Sequence, residues 1–452
     1  MPLWRRDNVA ITVPSPCPVG RGFMRVLLTT HAVHSHLYNL VPIAWALRTA
    51  GHEVCVATHP NFLETAKSTG ITTVPVGEEL AAPRDLPAAP GAPAGSGTPF
   101  GFGYDMAETR PEVLTPAYVR GTLATYTSRM CEYLSNQSML DDLVEFARAW
   151  KPDLVVWDAH HYAGPVLARA VGAAHARILA APDHWARMHS LLPAPAPGQS
   201  AAPGDDPLAD YLGGKLAPYG AEFDQEMVVG QATIDPLPSF LRVPLPNGHL
   251  PMRHVPFNGP ATIPAWLRRK PRRPRVCLTL GMTRRASGVE QRAGNAFPFA
   301  TVLEQLAGLD VEVVATLSAD QVPPGTSIPE NVRIFDYLPL NALLPTCAAI
   351  VHYGGMGTVG VAAVHGVPQL SIPGNIWGEG VVMRQWAEQG AGLVADADTL
   401  VERLGRLIDD PSFAAGAERI QKEMLAAPSP HDLVPALEEL TERHRGSRTD
   451  AA

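Results

Sequence analysis

Short, unbroken apolar runs alternate along this chain with longer stretches in which apolar positions recur every three to four residues. "MRVLLTT" (24–30), "HEVCVAT" (52–58) and "DLVVWD" (153–158) are runs of strand length, the pattern of strands covered on both faces. Between the first two, Leu40, Ile43, Ala44 and Leu47 share one face of a helix that Gly51 ends. "RVCLTLG" (275–281), "VEVVATL" (311–317), "VRIFDYL" (332–338), "AAIVHYG" (348–354) and "PQLSIPG" (368–374) repeat the theme, with helical patterns between them. Strands alternating with helices predict parallel sheets, with function at the strand carboxyl ends.

The runs fall into two clusters, so the expected class is α/β, with two Rossmann-like parallel-sheet domains facing a central cleft. Residues 1–23 read as an extension, 24–245 as the first domain, 246–272 as a linker and 273–430 as the second domain. Residues 431–452 read as a C-terminal helix and tail, the helix packing back on the first domain. Pro-, Ala- and Gly-rich segments at 82–99 and 192–207 cannot build a core and read as surface loops. A net charge of −8 argues against broad nucleic-acid binding, and the one basic run, "RRKPRRPR" at 268–275, is broken by two prolines and reads as solvated linker. No apolar run reaches the roughly eighteen residues of a membrane span. The five cysteines have no metal-type spacing. Cys55, Cys277 and Cys347 sit in apolar runs, as core thiols of a reducing, cytoplasmic setting do.

Two stretches carry chemistry. In "AAIVHYGGMGTVGVAAVHG" (348–366) a strand ends at His352, glycines follow, and a helix is expected from about Thr358. Gly354, Gly355 and Gly357 let the backbone approach a ligand, and the amides and dipole of the helix start favour an anion such as a phosphate. His352 is placed to add a side-chain donor. Gly355, Gly357 and Gly360 also spell the dinucleotide fingerprint, but the next strand ends in no acid and few strand–helix units remain, so a phosphate loop is favoured over an NAD site. The second stretch, "HAVHSHLYNLVP" (31–42), places His31, His34 and His36 between a strand and a helix that Ser35 or Asn39 is expected to cap, with Pro42 in its first turn. No fourth ligand is evident, so no metal is assigned.

These stretches, with "SHLYNLVPIAWALRTAGHEV", "DYLPLNALLPTCAAIVHYGGMGT" and "HGVPQLSIPGNIWGEG", resemble family-1 inverting glycosyltransferases of the GT-B fold. They resemble in particular the actinobacterial enzymes that attach deoxysugars to macrolides and anthracyclines, and the likeness spans about 24–440. The resemblance implies that His36 is the catalytic base and Asp158 its orienting acid. It implies that Tyr337 stacks on the nucleotide base while the Leu338 main chain reads the base edge. It implies a diphosphate site at His352 and the loop of Gly354, Gly355, Met356, Gly357 and Thr358, with Thr283 as a further contact. Trp377 and Glu379 are expected at the donor sugar, although Gly378 stands where many relatives have Asp. His31, His34, His160 and His161 are expected to line the acceptor side.

The implied reaction moves a deoxysugar from a dTDP-sugar to a hydroxyl of a hydrophobic polyketide-type acceptor, with inversion and without a metal or other cofactor. A base must take the acceptor proton, and the departing diphosphate must be stabilised, which the glycine loop and helix dipole can do. Some members of that branch work with a helper protein shaped like a cytochrome P450 without haem. Such a partner and a homodimer are therefore expectations to test. Two other readings stay open at this level: a catalytically impaired nucleotide-sugar-binding partner protein, and an NAD-linked oxidoreductase.

Overall fold

The computed structural model describes residues 23–82, 105–193, 202–282, 299–318, 322, 325–374 and 378–450. Its first sheet contains β1 (Arg25–Thr29), β2 (Glu53–Thr58), β3 (Thr72–Pro75), β4 (Leu154–Asp158), β5 (Ala174–Ile178), β6 (Ala232–Asp235) and β7 (Leu250–Pro251). All neighbours pair in parallel, in the order β3-β2-β1-β4-β5-β6-β7. The second sheet contains β8 (Arg275–Thr279), β9 (Glu312–Thr316), β10 (Val332–Phe335), β11 (Ala349–His352), β12 (Gln369–Ser371) and β13 (Gly392–Val394). It too is parallel, in the order β10-β9-β8-β11-β12-β13. The two Rossmann-like α/β domains expected from the alternation are both present.

In each sheet the strand order reverses beside the first strand, between β1 and β4 and between β8 and β11. Connections diverge to opposite faces there and leave a crevice at the strand carboxyl ends. His36 and Asp158 lie at the first of these points, and His352 with the glycine loop at the second.

Eight helices matter for the site: α1 (His34–Thr49), α2 (Gln137–Trp150), α3 (Ala163–Val171), α4 (His184–Ser190), α5 (Met356–Val364), α6 (Glu379–Glu388), α7 (Pro411–Ala426) and α8 (Val434–Asp450). α1 buries Leu37, Leu40, Ile43, Ala44 and Leu47 against Val26, Leu28 and Val56 of the first sheet. α5 buries Val359, Ala363 and Val364 in a core shared with Trp386 of α6 and Ile420 and Met424 of α7. α8 returns to the first domain, where Leu437 and Leu440 join the core beneath β1.

The segment between the domains is held at both ends. Leu250–Pro251 is an edge strand of the first sheet, and Trp266 stacks on Phe335 of the second domain at 5.2 Å. The basic run ends in structure: Arg275 is buried in β8, bonded to Glu312 and Thr346. No helix among the described residues is long and apolar enough to cross a membrane.

Candidate active site

The first-domain wall of the cleft begins with register. Thr29 of β1 lies opposite Trp157 of β4, so Asp158 ends β4 beside the loop that leaves β1. α1 starts earlier than the sequence predicts: Val33 is its N-cap, no side chain caps it, and Pro42 lies inside it. A proline there forgoes the i→i−4 bond to the Tyr38 carbonyl. Asn39 is not a cap; its amide donates to the Leu179 carbonyl at 2.8 Å. His36 therefore sits in the first turn of α1, not ahead of it. Its Nδ1 is 2.7 Å from Asp158 Oδ2. Asp158 is fully buried, and its other oxygen accepts the His160 amide at 2.9 Å. A carboxylate accepts only, so Nδ1 carries a proton, and in the neutral ring Nε2 is then the nitrogen with the lone pair. Burial alone would raise the Asp158 carboxyl. The imidazoles of His36, His31 and His160, with the His36 hydrogen bond, outweigh that and hold it below the usual carboxylate range.

The other histidines divide. His31 packs its ring 4.2 Å from that of His36, with Nδ1 4.0 Å from Asp158. Burial, then the neighbouring His36, lowers its pKa well below the ordinary value, so it stays neutral. His160 also flanks the pair, its ring 5.3 Å from His36. His34 is not brought in; it packs edge-on against Phe62 and Tyr38. His161 is fully buried, with Nε2 3.2 Å from the Met139 sulfur, so it lies beneath the cleft wall and not on it.

On the facing wall, the glycine turn leaves β11 and Gly355 is the N-cap of α5, so the helix begins at Met356, two residues before the expected start. Helical bonding begins where Thr358 N and Val359 N donate to the Gly355 carbonyl. The Met356 and Gly357 amides precede it and point out of the helix start. Gly354 has φ +94°, and a Cβ there would stand 3.0 Å from Met383 and 3.1 Å from Glu379, so only glycine fits. The expected anion contact from His352 needs correction. Gly354 N donates to His352 Nδ1 at 2.8 Å, and Nε2 lies 2.9 Å from Gln369 Oε1. Both ring nitrogens are occupied in a residue 3% exposed, so His352 braces the turn from behind. Gly354 N is spent on the same brace.

Tyr337 is half-exposed, and its hydroxyl donates to the Asn258 carbonyl of the interdomain segment; Leu338 is buried. Glu379 opens α6 beside the glycine turn. Thr283 and Trp377 lie outside the described residues.

The two walls meet. A Cβ on Gly357 would come 3.9 Å from Ser35 in the first turn of α1. Two helix amino ends, one carrying His36 and one carrying the glycine loop, thus face each other across the cleft, a setting that favours an anion. His31, His36 and Asp158 offer three ligand atoms within 4.8 Å of one another, a grouping able to hold a cation. The 2.7 Å bond spends His36 Nδ1 and Asp158 Oδ2 on each other, so an ion would have to break it. His59, directly after β2, and His184, opening α4, also border this region and were not singled out from the sequence. Strand-end position was the available signal for His59; nothing local marks His184.

The comparisons with known proteins agree along the chain. The models of the N-terminal and C-terminal domains of Erythromycin biosynthesis protein CIII-like proteins match residues 45–281 and 300–440. Aclacinomycin-T 2-deoxy-L-fucose transferase of Streptomyces galilaeus is 44% identical, over 94% of this chain and 98% of its own length. 10-Deoxymethynolide desosaminyltransferase of Streptomyces venezuelae is 41% identical, over 95% of this chain and 100% of its own. The crystal structure of the glycosyltransferase VinC in complex with dTDP superposes with a TM-score of 0.80 at 45% identity, covering 93% of this chain and 100% of that one. With two parallel domains, a glycine loop facing a His–Asp pair, and matches of this extent, the chain belongs to the Erythromycin biosynthesis protein CIII-like family and is a glycosyltransferase of the GT-B fold.

Proposed function

We propose that this enzyme transfers a deoxysugar from a dTDP-sugar to a hydroxyl of a polyketide-type aglycone, with inversion and without a metal. The observation that carries the reading is the 2.7 Å His36–Asp158 pair set opposite the glycine loop. The relatives' names supply the substrate classes: transferases of 2-deoxy-L-fucose and of a desosaminyl group, and a neighbour holding dTDP.

His36 Nε2 takes the proton of the acceptor hydroxyl as its oxygen bonds to the anomeric carbon. Asp158 fixes the ring through Nδ1–H and stabilises the imidazolium as it forms. The bond from the anomeric carbon to the β-phosphate oxygen breaks, and its electron pair leaves with dTDP. The Met356 and Gly357 amides and the α5 dipole take up the charge that grows there. One displacement inverts the anomeric centre. The proton ends on His36, the sugar on the acceptor oxygen, and dTDP departs. Tyr337, half-exposed at the rim, offers its ring to the thymine base.

The test is incubation of the purified chain with dTDP-sugars and polyketide aglycones, with product detected by mass. His36→Ala should lower turnover by about a hundredfold to ten-thousandfold while dTDP still binds. Full activity of that variant would remove His36 from the mechanism. EDTA should leave the rate unchanged; loss of activity restored by one divalent cation would instead make His31, His36 and Asp158 a metal site. Turnover by the purified chain alone decides against an obligatory P450-like partner, and turnover only after a partner is added decides for it. A non-catalytic role is disfavoured because the His–Asp pair is intact.

A further inference from the structure

A sugar held between the glycine loop and His36 must occupy the space next to the turn at Gly354. Among the described residues of the second domain, Ser371 Oγ and Glu379 are the polar groups that stand against that turn. Glu379 stands against Gly354, and Gly378, the residue before it, has no side chain. Gly378 has φ +78°, and a Cβ on it would lie 2.6 Å from the Ala107 Cβ and 2.9 Å from His184 Nε2. Both are first-domain residues. At this point the two domains close to direct contact, and the volume a side chain at 378 would fill is taken by the His184 imidazole.

Three observations set His184 apart from a packing histidine. Both of its ring nitrogens are shielded from solvent and have no hydrogen-bond partner. A buried polar group without a partner is costly, so such groups ordinarily find one in protein, water or a ligand. The backbone that carries it is anchored through the preceding residue. Asp183 caps α4 by accepting the Ala186 amide at 3.0 Å and pairs with the fully buried Arg177. Its neighbour in the contact is also fixed: Asp105 accepts the Ala107 amide at 2.8 Å, and Arg187 donates to the Met106 and Glu108 carbonyls at 3.1 and 2.5 Å. An unpartnered imidazole thus reaches across the cleft to Gly378, the residue before the Glu379 that borders the glycine turn.

We propose that His184 is a donor-sugar recognition residue, supplying from the first domain the polar contact that Gly378 cannot supply from the second. A neutral imidazole has one N–H and one lone pair, and a sugar hydroxyl both accepts and donates, so the two match. The contact forms only with the domains together, so sugar recognition is coupled to closure of the cleft. This rests on the glycosyl-transfer reading above, since it needs a nucleotide sugar in the cleft.

The experiment is calorimetric titration of the full chain, His184→Ala and His184→Gln with dTDP, dTDP-D-glucose and dTDP-L-rhamnose. The expected result is an unchanged dTDP affinity in every variant and a roughly tenfold loss, in His184→Ala, of the extra affinity contributed by the sugar. His184→Gln, which keeps a donor and an acceptor, should retain part of it. Steady-state kinetics should show the loss in KM for the donor more than in kcat. If dTDP and both dTDP-sugars lose affinity equally, or the sugar-dependent part does not move, the assignment is overturned. If the unchanged chain binds no dTDP at all, the glycosyl-transfer reading itself fails.

Discussion

Residues act at this site through which of their atoms are already committed. His36 lies just past β1 and His352 ends β11, each at a switch point, and both looked functional from sequence. His36 has one nitrogen fixed by Asp158 and one left for substrate; His352 has both spent on Gly354 and Gln369. Two predictions follow from that difference. Asp158→Asn keeps the shape but cannot hold the proton on Nδ1 in the same way, so kcat should drop by about two to four orders of magnitude with dTDP affinity intact. A single-turnover assay measures it, and a rate within a factor of a few of the parent would dismiss the orienting role. His352→Phe leaves Gly354 N and Gln369 Oε1 buried without their partner. It should cost about 1–3 kcal/mol of stability, seen as a lower denaturant midpoint, and loosen dTDP binding through the distorted turn. A variant with unchanged stability and a weakened phosphate contact would restore His352 to the anion site.

Elements position these atoms by packing very close, and glycine is what permits it. Gly164 in α3 is the case beside Asp158: a Cβ there would sit 2.2 Å from the Trp157 Cβ and 3.0 Å from Thr29 Oγ1. α3 thereby lies against the end of β4 and fixes where Asp158 emerges. Gly164→Ala must push helix and strand apart, so a loss of roughly 1–3 kcal/mol with a larger loss of kcat is expected. Thermal melts beside kinetics check it; a stable, fully active variant would mean that the spacing is not needed. At this scale the sequence was legible where burial was two-sided. β1, β2, β4, β8 and β11 are unbroken apolar runs and were all expected. β3, β7 and β13 were not, because edge strands of two to four residues such as Leu250–Pro251 carry too little pattern. Helix starts were misjudged at α1 and α5 because Val33 and Gly355 offer no capping side chain to read. The His36–Asp158 pair could be expected from the strand ends and the resemblance. The Gly378–His184 contact could not, because it joins residues 194 positions apart across two domains and neither belongs to a local motif.

The whole molecule carries an unusual load of histidines kept neutral by burial, and this sets its response to acid. Burial pushes His161 and His175 down to about 3 and His352 to about 4. His160 and His184, on the cleft, are pushed to about 4 by burial as well. A histidine whose folded pKa is depressed contributes stability above its unfolded value near 6.5 and loses it as pH falls toward the folded value. Between those limits the unfolded chain binds a proton that the folded chain refuses, at about 1.4 kcal/mol per group per pH unit. The cleft histidines can be relieved by opening the domains. His161, His175 and His352 lie in the interior and need unfolding. Those three alone remove about 4 kcal/mol per pH unit, against a total stability of roughly 5–15 kcal/mol for a folded domain. The melting temperature should therefore fall steadily below about pH 6.5, with unfolding at room temperature near pH 4.5. Circular-dichroism melts from pH 7.5 to 4.5 measure this, and His175→Phe should flatten the slope by about one proton if it still folds. A melting temperature that holds from pH 7.5 to 5 would show that these histidines reach water or partners in the folded enzyme. The sugar-dependent part of donor binding should weaken first, before any melt, as His184 gains a proton in the opened cleft and resists closing against Gly378.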